Sequence, residues 1–350
     1  MIPQNFIRYK VRPDDTLTSL ARRINISEND LKEFHNQNCG KMNKLWVTNL
    51  KGIEFVMIPT HFITEQEEEH QNRKMLPSEI YFLNFHANQY SVLEKFEQPG
   101  KQDSEFNYTV NLNIQQKQRN FMADIELKNY TKNGSVPDDK ISSLSLECMQ
   151  SLYPISLELS AIGTIHSCFG HQKIIDNFKL KRNDIEDFHI GEVSKNYLET
   201  FEQNISDESY FLKQIQSNIL YQILFPNLNW FHKKTVWKDK FTVYPNSFPL
   251  EFEFKTENQY EDIYRIETII TGKILENYSL RELLKGIRIE DEDPENFIEA
   301  DIETHYFTDS ISQQLMEVKS SVSIWFQNEL FQKHNIHITQ NNDENLPHKT

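Results

Sequence analysis

Residues 9–17 read Tyr9-Lys10-Val11-Arg12-Pro13-Asp14-Asp15-Thr16-Leu17, and residues 20–31 continue Leu20-Ala21-Arg22-Arg23-Ile24-Asn25-Ile26-Ser27-Glu28-Asn29-Asp30-Leu31. Ile7 to Val11 alternates as a short strand. Asp15 or Thr16 then stands where a helix N-cap is needed, ahead of Leu17, Leu20, Ala21 and Ile24 at helical spacing. Ser27 caps a second helix with acid in its first turn, and Leu31 and Phe34 supply its apolar face. Phe55 to Ile58 is a return strand stopped by Pro59. The order is β-α-α-β within about residues 1–60.

Outward from this unit, His61 to Lys74 is charged with little periodic apolar content, which predicts a linker or exposed helix, and residues 61–75 are taken as the domain boundary. Beyond it, Gln89 to Phe96, Glu105 to Ile114 and Phe121 to Leu127 alternate as half-buried antiparallel strands do. A helix over Asp139 to Leu152 precedes a strand and turn over Ile155 to Ile165. Residues 172–224 then read as helices. Their clearest piece follows a cap at Ser206 and carries Phe211, Leu212, Ile215, Ile219 and Ile223. Alternation returns at Thr242–Val243, Leu250–Phe254, Ile263–Ile274, Ile302–Phe307 and Leu315–Ser323, and over Ile324 to Leu330. Residues 76–340 are therefore expected as one α+β domain, with strands over 89–165, helices over 172–224 and strands over 242–330. The two β regions are open to forming one sheet or a duplicated pair. A polar tail over 341–350 follows.

The N-terminal residues resemble the LysM family, whose pattern runs Y-x-V-x-x-G-D-T-L, I-A, V-S, L-x-x-x-N and I-P. Here the matching pieces are Tyr9 to Leu17, Leu20-Ala21, Ile26-Ser27, Asp30-Leu31 and Ile58-Pro59. Asp14 stands where the family has Gly. His35 stands where it has Asn, with Asn36 one place later, and the loop from Gln37 to Glu54 is longer than usual. The resemblance implies binding of N-acetylglucosamine glycans such as peptidoglycan or chitin. The implied groove is formed by Pro13, Asp14, Thr16 and Leu17 on one side and Gly52 and Ile53 on the other.

Among 350 residues, 37 basic and 52 acidic side chains leave a net charge of −15, which repels phosphate backbones, so nucleic acid is not an expected partner. The short basic pair Lys233-Lys234 reads as solvated surface. Three cysteines, Cys39, Cys148 and Cys168, make no even disulfide framework. No membrane span or signal peptide is legible, so synthesis in the cytoplasm is expected, with export, if any, through a secretion machine. The sequence has no GxSxG, HExxH, GxxxxGK[ST] or GxGxxG and implies no cofactor.

His166, Cys168 and His171 form the densest His/Cys cluster, offering weak zinc ligands or a cysteine nucleophile, but a turn around a buried cysteine explains it better. His334 and His337 read as surface residues. Glu290 to Asp293 and Glu295, flanking Pro294, read as a solvated acidic loop and not as a glycosidase pair. The expected function is a non-catalytic binding or assembly protein. Its setting would be a contractile injection system of the type VI or phage-tail kind, as an adaptor, cargo-loading or baseplate component whose large acidic domain docks a component or cargo protein. The alternatives are a peptidoglycan hydrolase effector and a plain glycan-binding protein.

Overall fold

The computed structural model describes residues 6–341 except 63, 118–119, 261–263 and 290–295, so the acidic loop at Glu290–Glu295 and the tail after Asn341 lie outside the described residues. The chain divides into two compact units, Met1–Met75 and Leu76–Thr350.

In the first unit, β1 (Phe6–Lys10) pairs antiparallel with β2 (Phe55–Pro59). Helix α1 (Leu17–Arg23) begins at a capping box. The Thr16 hydroxyl accepts from the Ser19 N–H, while the Ser19 hydroxyl accepts from the Thr16 N–H. Helix α2 (Glu28–Asn38) starts at Ser27, whose hydroxyl accepts from the Asp30 N–H. Leu17, Leu20, Ala21, Ile24, Leu31, Leu45, Leu50, Val56 and Ile58 make the core. Phe34 is only half-buried, and the next residue, His35, takes the buried position instead. The stretch expected as linker holds helix α3 (Glu65–Met75).

The second unit is an eleven-stranded antiparallel sheet with helices, an α+β fold. Its strands are β3 (Gln89–Glu97), β4 (Ser104–Lys117), β5 (Asn120–Lys132), β6 (Ile155–Leu159), β7 (Ile165–Phe169), β8 (Trp237–Phe241), β9 (Leu250–Tyr260), β10 (Arg265–Ile274), β11 (Ile298–Asp309), β12 (Leu315–Phe326) and β13 (Glu329–Gln340). Their spatial order is β7-β6-β5-β4-β3-β13-β12-β11-β10-β9-β8. Every neighbouring pair is consecutive in sequence except one: β13 closes onto β3, with His337 opposite Leu93. Both β regions thus belong to one sheet, and its outer edges are β7 and β8.

Helices α5 (His171–Phe188), α6 (Glu192–Ser206), α7 (Glu208–Ser217) and α8 (Ile219–Leu224) connect those two edges, and α4 (Lys140–Ser151) joins them in the core. The inward residues of the sheet, such as Val110, Ile125, Leu157, Phe252, Ile302, Val322 and Ile338, share that core with Phe178, Leu198, Ile215 and Leu224. Outward positions of the central strands are polar, including Lys95, Glu303, Lys319 and Asn335. This is the one-face-dry pattern of antiparallel sheets.

Several expected boundaries move for identifiable reasons. The strand placed at Thr242–Val243 is instead β8, where Asp239 occupies an inward position by accepting from the Trp230 indole N–H at 2.9 Å. Asp207, not Ser206, caps α7, and Asn218 ends that helix and caps α8, so the single helix expected there is two. The stretch Ile324 to Leu330 is not a strand of its own. It holds the end of β12, a turn with Gln327 and Asn328 at positive φ, and the start of β13. His334 is buried within β13, bonded to the Glu94 carboxylate at 2.7 Å, and is therefore not a surface residue. The turn expected around Cys168 is strand β7, with a register irregularity beside His166.

Candidate functional site

The two loops implied as groove walls meet at the open end of the β1–β2 pair, where the Val11 N–H donates to the Glu54 carbonyl at 3.0 Å. On the first wall the Asp15 N–H donates to the Arg12 carbonyl at 3.1 Å, closing a turn with Pro13 second and Asp14 third. A type I turn needs negative φ at both central positions, which proline and aspartate both supply. Asp14 is not among the residues with positive φ; in this unit those are Asn25 and Gly52. Replacement of the family's glycine therefore costs no backbone strain.

Asp15 is the clasp of this wall. Its buried carboxylate accepts from the Tyr9 hydroxyl at 2.9 Å and the Arg12 N–H at 2.8 Å, and pairs with Arg23 at 3.0 Å. Burial acts to raise its pKa, but the hydrogen bonds from Arg12 and Tyr9 and the Arg23 charge outweigh it and hold the group below the usual carboxylate range. Pro13, Asp14 and Thr16 are exposed along this wall. Leu17 is fully buried, so its side chain belongs to the core and does not line the groove.

On the second wall the Ile53 N–H donates to the Leu50 carbonyl at 3.0 Å, and Gly52, at φ 88°, takes a left-handed conformation within that turn. Gly52 is exposed and Ile53 half-buried. The structure thus brings Pro13, Asp14, Thr16, Gly52 and Ile53 to adjoining loops.

The long 37–54 loop is held down by the residues that depart from the family pattern. The His35 Nδ1 accepts from the Met57 N–H at 3.0 Å, which places the ring proton on Nε2, and Nε2 donates to the Asn43 carbonyl at 2.8 Å. Asn36 brackets Leu45 with both halves of its amide: Nδ2 donates to the Leu45 carbonyl at 2.9 Å and Oδ1 accepts from its N–H at 2.7 Å. Lys32 Nζ donates to the Trp46 carbonyl at 3.0 Å. The loop so fixed displays Met42, Trp46 and Val47 to solvent. Sequence reasoning passed over these three residues, although an apolar pair inside a lysine-rich loop was visible in the sequence.

A protein-family model described as LysM domain matches residues 9–35. Residues 9–35 are a LysM domain. The remainder of the chain is unassigned, and no curated protein matches the sequence. Among solved structures the chain has a distant likeness to one titled "Lipid-protein interactions in lipovitellin". The identity is 9% and the TM-score 0.37, over 73% of this chain and 24% of that one, so the chain spans about a quarter of that protein's length. The LysM unit is consequently where the residues speak to function, and the family it matches points to glycans such as peptidoglycan.

Outside the LysM unit, the His/Cys cluster is not gathered into a ligand set. Cys168 faces the core and burial pushes its thiol up to about 11, the reverse of an activated nucleophile. His166 is exposed, and His171 Nε2 donates to the Ile205 carbonyl at 2.7 Å. Among the described residues no group of three His, Cys, Asp or Glu is placed to hold a metal ion, and no helix is long and apolar enough to cross a membrane.

Proposed function

We propose that the protein is a non-catalytic adaptor that binds peptidoglycan, or another N-acetylglucosamine glycan, through its LysM groove and holds a second protein through its sheet unit. The observation that carries the glycan half is the meeting of the two loops at the Val11–Glu54 hydrogen bond, with Pro13, Asp14, Thr16 and Gly52 exposed on either side. Exposed residues on two adjoining loops suit one face of a polymer better than a small metabolite, which is ordinarily enclosed. The partner half rests on composition: an acidic, aromatic-rich unit without a cofactor fingerprint. The setting we propose is a contractile injection machine, where such a chain would load cargo or a baseplate component.

The test is co-sedimentation of the full-length protein with insoluble peptidoglycan and with chitin, the two scored separately. Asp14→Ala combined with Pro13→Ala is expected to weaken retention on both polymers about tenfold, the usual scale for losing central contacts in an interface. Peptidoglycan incubated with the protein should stay unsolubilised. Retention that is unchanged in the double variant would rule out this groove, and release of soluble fragments would favour the hydrolase instead.

A further inference from the structure

Charge is divided unevenly along the chain. Residues 1–60 carry nine basic and six acidic side chains, whereas the rest carries 28 and 46. Within the first unit, Lys41, Lys44 and Lys51 fall on the long loop with no acidic residue from 41 to 51, and among the described residues none of them is in an ion pair. The same loop displays Met42 at 98% exposure, Trp46 at 79% and Val47 at 65%.

Tryptophan is highly buried on average, and here the loop that holds Trp46 outward is pinned by its neighbours. Its anchors are the His35, Asn36 and Lys32 hydrogen bonds and the buried Leu45 and Leu50. The display is therefore preorganised, and a ligand binding to it would meet little ordering cost.

We infer that the 41–47 segment, on the same long loop as the Gly52–Ile53 wall, is a second binding surface that selects an anionic polymer: peptidoglycan bearing its peptide carboxylates, over the neutral chitin that shares its N-acetylglucosamine. Lys41 and Lys44 supply charge complementarity to the carboxylates. Trp46 supplies a flat apolar face for the methyl and methylene groups of the peptide, which chitin lacks, with its indole N–H free for a polar contact. The inference rests on the reading of the unit as a glycan binder and adds to it a discrimination that the groove, which contacts the shared sugar, does not provide.

Full-length protein is sedimented with purified peptidoglycan and with chitin at low and high salt. Wild type is expected to prefer peptidoglycan, with the preference shrinking as salt rises through the range where exposed charges are screened. Lys41→Glu with Lys44→Glu should lower peptidoglycan retention about fivefold, and Trp46→Ala about tenfold. Both variants should keep wild-type retention on chitin, which also reports that the unit remains folded. Equal loss on both polymers, or no loss on either, overturns the inference while leaving the groove reading to its own double variant. Wild type bound to neither polymer removes both. Sedimentation of wild type with anionic lipid vesicles, lost in Trp46→Ala and accompanied by no preference between the polymers, would reassign the surface to a membrane and overturn the inference.

Discussion

His35 shows how a single residue can look like a functional change and prove to be an architectural one. In the family pattern an asparagine occupies this place, beside the expected groove. In the structure the imidazole is fully buried and spans from the Met57 N–H to the Asn43 carbonyl, tying a strand to the long loop. His35→Ala would leave a cavity and strand two backbone groups. The expected cost is about 2–4 kcal/mol, read as a lower midpoint of the first unit in denaturant unfolding followed by hydrogen exchange at Leu31; a change under about 0.5 kcal/mol, the range of neutral surface substitutions, would contradict the role. Thr16 and Ser27 were legible as caps because capping is local, a hydroxyl within three residues of the N–H it serves. His35 was not, because its partners lie 8 and 22 residues away. Of the residues expected in the groove, Leu17 was misread for the same reason: its place in a helix is local, while its burial is decided by the packing of two helices on two strands.

Among the elements, strands whose inward series is mainly apolar were read even where a Thr, Ser or Glu interrupts it, whereas β13 was read only at its first residues. In β13 the inward series runs Gln332, His334, Ile336, Ile338, so half of it imitates a surface. These polar groups are tolerated because Gln98 and Glu94 satisfy them across the strand pair. The sheet's edges use a related device. Gln216 on α7 donates to the Ile165 carbonyl of β7. Gln222 on α8 serves Thr242 just beyond β8, donating to its carbonyl and accepting from its N–H, each at 2.9 Å. The second contact reproduces with one side chain the paired bonds of a neighbouring strand. Gln222→Ala would leave both Thr242 groups buried and unserved. It is expected to cost about 2–4 kcal/mol, observed as a fall in the thermal midpoint of the sheet unit. Gln222→Glu, which keeps the acceptor and loses the donor, should also destabilise. A glutamate variant as stable as wild type would show that the carbonyl bond contributes nothing.

At the scale of the whole molecule, acid should act on the buried titratable groups of the sheet unit. His86 is buried, with Nε2 donating to the Leu224 carbonyl at 2.7 Å and the Tyr81 hydroxyl 3.1 Å from Nδ1; burial lowers it to about 4, against the Leu224 bond, which raises it. The unfolded chain takes up this proton near pH 6.5 and the folded one does not. Its contribution is therefore complete above pH 6.5 and declines as pH falls towards 4, by on the order of 3 kcal/mol. His305 opposes this: desolvation lowers its pKa, but Glu303 and Glu267 more than offset that and leave it raised. Its contribution is present below pH 6.5 and lost as pH rises through the folded value, though this ring is partly solvated and its effect is smaller. In the LysM unit the depressed Asp15 acts lower: its contribution is present above about pH 4 and lost only below that, as the carboxylate protonates. Lowering the pH from 7 to 4.5 should destabilise the sheet unit, as monitored by hydrogen exchange at Val110. Unchanged protection at Val110 would refute the assignment.

The fold class and the LysM architecture were open to reading from sequence because amphipathic periods and caps are short-range. Strand order was not, since nothing local records that β13 belongs beside β3. That pairing bears on biogenesis. A nascent chain can build the half-sheet β3 to β7 early, but β3 keeps a bare edge of unpaired amides and carbonyls until β13 has cleared the ribosome. Completion of the unit is thus deferred until Glu329–Gln340 has been made, and a ribosome stalled before Glu329 would leave a sticky, aggregation-prone intermediate of the kind that holdase chaperones shield.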